Sequence, residues 1–131
     1  MAVGAVVFKG GKILLVKRAK APQKDLWAIP GGAVKLGETL QAAAERETRE
    51  ETGLEIEAKE PFHTFDLIEK DAQGKILFHY VIVDLHADYR SGNIQPADDV
   101  SDAGWFGPKE IQNIKTSAST RGLLRKLAFL K

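Results

Sequence analysis

Cysteine is absent from this sequence of 131 residues, which excludes disulfides and thiolate-held metal centres and suits a reducing compartment. Long hydrophobic runs are missing too. Nowhere do about 18 apolar residues follow one another, and the start of the chain has neither a charged leader nor a long apolar segment, so the expectation is a soluble, cytoplasmic protein with no membrane partner. Charge of one sign is also lacking: 19 basic residues stand against 18 acidic ones, for a formal net charge of +1, which gives no reason to expect nucleic acid as a partner. Among the bases only Arg121, Arg125, Lys126 and Lys131 gather, at the C-terminal end. There is no internal repeat and no low-complexity tract. What remains is a chain 44% hydrophobic and 28% charged, enough for one core and read as a single domain, 1–131.

The informative stretch runs from Gly32 to Leu54. Between Thr39 and Thr52 there is no proline or glycine, alanine and glutamate dominate, and Gly53 follows where a left-handed cap is wanted, so the pattern predicts a helix capped by Thr39. On it Glu47, Glu50 and Glu51 stand at i, i+3 and i+4, with three carboxylates on one face. Like charges at that spacing destabilise a helix by roughly 0.2–0.5 kcal/mol per pair, a penalty that a divalent cation would remove. The alternative is a solvated face held by Glu45–Arg49 and Arg46–Glu50 pairs. The entry through Ile29-Pro30-Gly31-Gly32 and Gly37-Glu38 favours a site, because such a loop lets backbone approach a phosphate or offer carbonyl oxygens to a metal.

Gly32, five residues, Glu38, seven residues, Arg46-Glu47, two residues, Glu50-Glu51, one residue, Gly53-Leu54: this spacing resembles the box of the Nudix hydrolases. With each residue type expected at about 6–7% of positions, the seven fixed Gly, Glu and Arg matches arise by chance on the order of once in 10⁸ starting points. One position departs, Thr48, where the family prefers a bulky aliphatic and where packing toward a sheet is expected. The resemblance implies a helix-sheet-helix sandwich around a mixed β-sheet, in class an α/β (α+β) domain. It implies Glu47 and Glu51 as direct metal ligands, with a carbonyl of Gly31 or Gly32 and with Glu50 as an accessory or water-mediated ligand. Mg²⁺ is the implied cofactor, with Mn²⁺ as its substitute. By the same resemblance Arg46 orients a box glutamate, while Glu38 and Gly53 are structural. A general base is to be sought in a loop after the box, where Asp98, Asp99 and Asp102 lie. Asp99 is preferred, because Asp102 abuts a predicted strand.

Elsewhere the pattern predicts a hairpin, Ala2 to Phe8 and Ile13 to Val16, turning at Lys9-Gly10-Gly11-Lys12. A polar loop from Lys17 to Asp25 follows. Arg18 in it either neutralises a substrate phosphate or is an ordinary surface arginine, and Trp27 beyond it either lines the site or packs as a wedge. Leu54 to Leu67, interrupted by Pro61, predicts an edge strand or two short ones. Lys75 to Ala87 is apolar on both faces and predicts a central strand. His79 within it is read as a hydrogen-bonded core or pocket histidine, since no other histidine is spaced to share a metal. Trp105 lies on a short strand, Pro108 opens a short helix, and Ser117 or Ser119 caps a last helix with Leu123, Leu127 and Leu130 on one face. Strands in runs, not in strict alternation with helices, indicate a mixed flanked sheet.

Clustered carboxylates beside a glycine loop suit metal-assisted hydrolysis of a phosphoanhydride. The segments Leu26 to Gly32, Phe78 to Asp84, and Asp98-Asp99 ahead of Trp105-Phe106 resemble the ADP-ribose pyrophosphatase-like branch of the family, which implies a small nucleotide substrate, ADP-ribose cleaved to AMP and ribose 5-phosphate. Two alternatives stand beside it: a nucleoside triphosphate pyrophosphohydrolase, and a non-catalytic nucleotide-binding module. Oligomeric state is open, a homodimer included.

Overall fold

The computed structural model describes residues 1–20 and 23–129; Ala21 and Pro22 of the polar loop, and Leu130 and Lys131, lie outside them. The elements run β1 Ala2–Lys9, β2 Lys12–Arg18, β3 Trp27–Ala28, β4 Gly31–Ala33, α1 Leu40–Thr52, β5 Glu55–Lys70, β6 Ile76–Ser91, β7 Val100–Phe106, α2 Pro108–Ile111 and α3 Ala118–Lys126. The strands form one sheet in the order β3-β2-β1-β6-β5, with β4 on β1 and β7 on β2. Among the described strands β1 and β6 pair in parallel and the other pairs are antiparallel, so the sheet is mixed.

β1 carries side chains into both cores, as a strand covered on two faces must. Val3, Ala5 and Val7 join Leu14, Ala43, Ala44, Leu54, Val83 and Leu85 under α1, while Val6 joins Ile13, Leu15, Ile111, Leu123 and Leu124 under α2 and α3. This is the helix-sheet-helix sandwich. No helix among the described residues is long and apolar enough to cross a membrane.

α1 begins as its sequence predicts, with Thr39 accepting the Ala42 N–H at 3.1 Å, and ends at Gly53, whose φ of 77° is left-handed. Of the two expected i, i+4 pairs, Arg46–Glu50 forms at 3.3 Å, while Glu45 and Arg49 take other partners. Glu45 turns to the sheet and accepts the Ala58 N–H at 2.9 Å. Arg49 forks onto Glu55 at 2.6 and 3.0 Å, a bidentate geometry that a flexible pair along the helix does not match. Ser117 caps α3 by accepting the Thr120 N–H at 3.2 Å.

β5 is one strand of 16 residues, not two. It is the sheet edge, and it accommodates Pro61 by register shifts on either side of it. β6 departs from the expected central strand over half its length. Ile82 to Asp88 lie between β1 and β5, but Ile76 to Val81 pair with β5 alone, as the far half of a projecting arm. Its apolar alternation is therefore not burial: Ile76 is 55% and Leu77 60% exposed.

Thr48, the residue at odds with the box, is fully buried and its hydroxyl has no hydrogen-bond partner. A buried orphan hydroxyl costs about 1–3 kcal/mol. Thr48→Val keeps the shape and removes the orphan, so stability in urea is expected to rise by about 1 kcal/mol, and the melting temperature by about 3–5 °C. A loss of stability on this substitution would show that the hydroxyl is paired after all.

Candidate active site

Arg46 is the hub of the box. Its Nε and one Nη donate to Glu38 at 2.7 and 3.0 Å, and that Nη also reaches the Ala33 carbonyl at 2.9 Å. The other Nη donates to Glu47 at 2.8 Å and approaches Glu50 at 3.3 Å. Glu38 in turn accepts the Lys35 N–H at 3.0 Å, and the Arg46 guanidinium together with that N–H holds its carboxyl down at about 2. Glu38 thus clips the entry loop to α1, as expected of a structural residue.

Glu51 is 6% exposed and accepts the Gly31 N–H at 3.0 Å. Burial pushes its carboxyl up to about 8, with Glu47 and Asp98 adding to the rise, and the Gly31 N–H and Arg18 opposing it. Glu47 is also raised, by burial first and by the charges of Glu50 and Asp98, against the pull of Arg46. The two glycines serve these carboxylates. A Cβ at Gly31 would overlap the Val3 carbonyl oxygen, and one at Gly32 would stand 2.5–2.7 Å from the Glu47 carboxyl atoms. Without side chains there, β4 pairs closely with β1 and Glu47 lies across β4.

The expected trio of carboxylates does not converge. Among the described residues no three His, Cys, Asp or Glu side chains gather as a ready-made metal cage. The helix does put all three on one face, with successive residues turning by about 100°, so that Glu51 lies about 40° to one side of Glu47 and Glu50 about 60° to the other, but sharing a face does not bring three side chains to one point. Glu50 is exposed and faces Arg46. Glu47 and Glu51 are the two less exposed acids, and the charge of Glu47 acts on Glu51. Two carboxylates suit a hard divalent cation that completes its shell with waters and phosphate oxygens. The raised Glu51 carboxyl, short of any full positive partner, is what such an ion would relieve, so the donor set fits Mg²⁺.

The loop after β6 reaches this place because α1 holds it. The Gln95 and Ala97 N–H groups donate to the Thr52 and Glu51 carbonyls at 2.8 and 3.1 Å, satisfying orphan acceptors at the helix end. Asp98 follows at once, with a left-handed φ of 62°, and it is the loop acid whose charge both Glu47 and Glu51 feel. Asp99, the acid preferred from sequence, is instead paired to Lys20 at 2.9 Å, which holds its carboxyl below the usual range. Asp102 accepts the Ala103 N–H at 2.8 Å.

A cavity of about 410 Å³ opens beside the box, lined by Arg18, Ile29, Gly31, Phe65, Tyr80 and Asp84 among others. Arg18 lies in it with a buried, unpartnered Nε, so it is not an ordinary surface arginine. Trp27 is a wedge: it packs edge-on to Phe106 at 4.7 Å within the α3-side core and does not line the cavity. His79 hydrogen-bonds Asp66 at 2.8 Å on the exposed arm, neither in a core nor near the acids. Sequence reasoning missed Phe78, Tyr80 and Asp84 as cavity walls. The signal was present, an acid ending the apolar run of alternate residues Ile76, Phe78, Tyr80 and Ile82.

The sequence profile of the NUDIX domain matches residues 1–127. The chain belongs to the NUDIX family. It is 35% identical over 106 residues to the ADP-ribose pyrophosphatase of Methanocaldococcus jannaschii, covering 81% of this chain and 60% of that protein. It is 28% identical to the NAD-capped RNA hydrolase NudC of Stutzerimonas stutzeri, across 95% of this chain and 41% of NudC. The chain therefore spans less than two thirds of the length of these relatives. Among solved structures, the NUDIX domain of Shewanella oneidensis NrtR complexed with ADP ribose superposes with a TM-score of 0.76 at 26% identity, covering 97% of this chain and 84% of that one. A MutT NUDIX hydrolase of Burkholderia pseudomallei superposes at 0.74 and 29% identity, over 95% and 94%.

For this Nudix chain the raised Glu51 carboxyl has a measurable sign. A folded form that keeps a proton the unfolded form has released loses stability as pH rises, here from about 4.5 toward about 8. Glu38 acts in a separate window, its contribution fading only as pH falls from 4.5 toward about 2. Thermal unfolding with chelator is expected to show a melting temperature that declines from pH 4.5 toward 8, and saturating Mg²⁺ should raise it most at the alkaline end. A flat profile indifferent to Mg²⁺ would contradict the site.

Proposed function

We propose that this Nudix chain hydrolyses the phosphoanhydride of a nucleoside diphosphate linked to a second moiety, with ADP-ribose as the substrate: ADP-ribose and water give AMP and ribose 5-phosphate. The observation that carries the reading is the pair Glu47 and Glu51, set against Gly31-Gly32 at the mouth of a cavity that holds Arg18. The ADP-ribose pyrophosphatase relative supports the choice of substrate.

Glu47 and Glu51, with a carbonyl of Gly31 or Gly32, would hold Mg²⁺, or Mn²⁺ in its place, and Glu50 would act as an accessory acid through water. When bound, the ion would offset charge on the phosphoryl oxygens and make a coordinated water more acidic. The chain's own residues do the rest. Arg46 keeps Glu47 aimed by holding one of its oxygens. Arg18, which lines the cavity, would set its guanidinium against phosphate oxygens. Asp98, free of the lysine that engages Asp99, accepts the proton of the attacking water as a P–O bond to the bridging oxygen breaks. The cysteine-free composition suits the cytoplasm as the setting.

A second reading, removal of pyrophosphate from a nucleoside triphosphate, is favoured by the close match in length to the MutT hydrolase structure. Release of AMP from ADP-ribose, and of pyrophosphate from triphosphates, each with Mg²⁺ and with chelator, separates the two. Metal-dependent AMP is expected. Glu51→Gln should abolish turnover with the fold intact, Asp98→Asn should lower kcat by about 10²-fold or more, and Asp99→Asn should leave it within about threefold. Wild-type rates for Glu51→Gln would overturn the metal assignment, and the reverse ranking of the two aspartates would restore Asp99.

A further inference from the structure

Asp84 is an acid where a sheet should be apolar. It sits on β6 between β1 and β5, is 1% exposed, and its Oδ2 is enclosed without a hydrogen-bond partner. A buried carboxylate without a partner costs several kcal/mol on general grounds and persists only where something offsets it. Burial alone acts on its titration, with no cation opposing it. Nothing among the described residues fills this role, yet Asp84 lines the cavity beside the box.

Strand register places it. Gly4 pairs with Gly31 on one side and with Asp84 on the other, so the three residues form one row across β4, β1 and β6. Neighbouring strands lie about 4.8 Å apart, which sets Asp84 about 10 Å from Gly31, whose N–H holds Glu51. That separation is comparable with the reach from a nucleotide's phosphate to the far edge of its base. The middle of the row is kept clear for Asp84: a Cβ on Gly4 would overlap the Asp84 Oδ1 and come within 2.6 Å of Ile29. The carboxylate thus leans over β1 toward the box end of the cavity. Around it the walls are Ile29, Ile82, Leu123, Phe65 and Tyr80, apolar and aromatic surfaces suited to a flat base. A carboxylate is an acceptor only, and it repels phosphate. The group that completes it must be a hydrogen-bond donor, which the base of a nucleotide can offer and its phosphates cannot.

We propose that Asp84 is the specificity-determining residue of the cavity, accepting a hydrogen bond from the exocyclic amino group of an adenine base while the phosphates lie toward Arg18 and the box. The assignment deepens the nucleotide reading above and rests on it. It gives the cavity a polarity: donor-bearing base at the β6 end, anionic diphosphate at the β4 end. Bases without an amine at that edge leave Asp84 as an orphan and are disfavoured for that reason.

The test is binding without turnover. Calorimetry in chelator compares AMP, purine riboside 5′-monophosphate, which lacks only the amine, and 2′-deoxy-AMP. Wild-type protein is expected to bind AMP about 10-fold or more tighter than the amine-free analogue, and to bind 2′-deoxy-AMP within about twofold of AMP. Asp84→Leu, which keeps apolar volume, should erase the preference, and Asp84→Asn, which keeps an acceptor oxygen, should restore part of it. Equal binding of AMP and its amine-free analogue by wild type, no binding of either, a loss confined to the 2′-deoxy compound, or a preference that survives Asp84→Leu overturns the proposal. Hydrolysis of ADP-ribose is read separately. A chain that shows the amine preference without cleaving ADP-ribose rejects only the proposed activity, and one that cleaves ADP-ribose without the preference rejects only the role of Asp84.

Discussion

The hydrogen bond from the Gly31 N–H to the buried Glu51 carboxylate joins the helix to the sheet at the one place where chemistry is arranged. It can form only because Gly31 brings β4 against β1 without a Cβ in the way, and because α1 runs uninterrupted from a Thr39 cap to a left-handed Gly53. Glu51 has little else. Burial outweighs one backbone donor, so the carboxyl rises to about 8, and the folded chain holds an acid under strain beside a second acid, Glu47. A carboxyl raised in this way is the kind of group that the hard cation proposed for the site would relieve.

Arg46 explains why the acidic face does not simply repel itself. One guanidinium spans Glu38, Glu47 and Glu50 and a carbonyl of β4, so the entry loop, the helix and the third acid are fixed together. Glu50 is thereby engaged by Arg46 on the exposed flank, and no three acids gather as a metal cage among the described residues. The helix end completes the frame, since the carbonyls of Glu51 and Thr52 anchor the loop that carries Asp98. Glu47, Glu51, Arg46 and the loop that carries Asp98 are all referred to a single element, α1.

Much of this was legible in the sequence because it is local. Helix bounds, both caps and the Arg46–Glu50 pair follow from spacing within one stretch, and the link from Glu38 to the helix was what the family resemblance of that stretch implied. What escaped depended on contacts distant in sequence. Which of Asp98 and Asp99 faces the box turns on Lys20, which takes Asp99 across the sheet end. Glu45 and Arg49 left each other for Ala58 and Glu55, partners that exist only once β5 packs on α1. The apolar alternation of β6 looked central along its whole length, because a strand buried on two faces and an arm with a cavity on one face and solvent on the other share the same pattern. Trp27, equally open from sequence between site and wedge, was decided by Phe106, nearly 80 positions away.

The account stands or falls on the state of one carboxyl. Titration of the Glu51 side chain, followed by NMR of ¹³C-labelled glutamate carboxyls and assigned through Glu51→Gln, measures it directly. The account predicts that in metal-free protein Glu51 titrates well above the ordinary glutamate range, near 8, and that Mg²⁺ drives it back to full ionisation across the same pH range. A Glu51 that titrates as an ordinary glutamate and ignores Mg²⁺ would contradict the buried-ligand assignment and the function built on it.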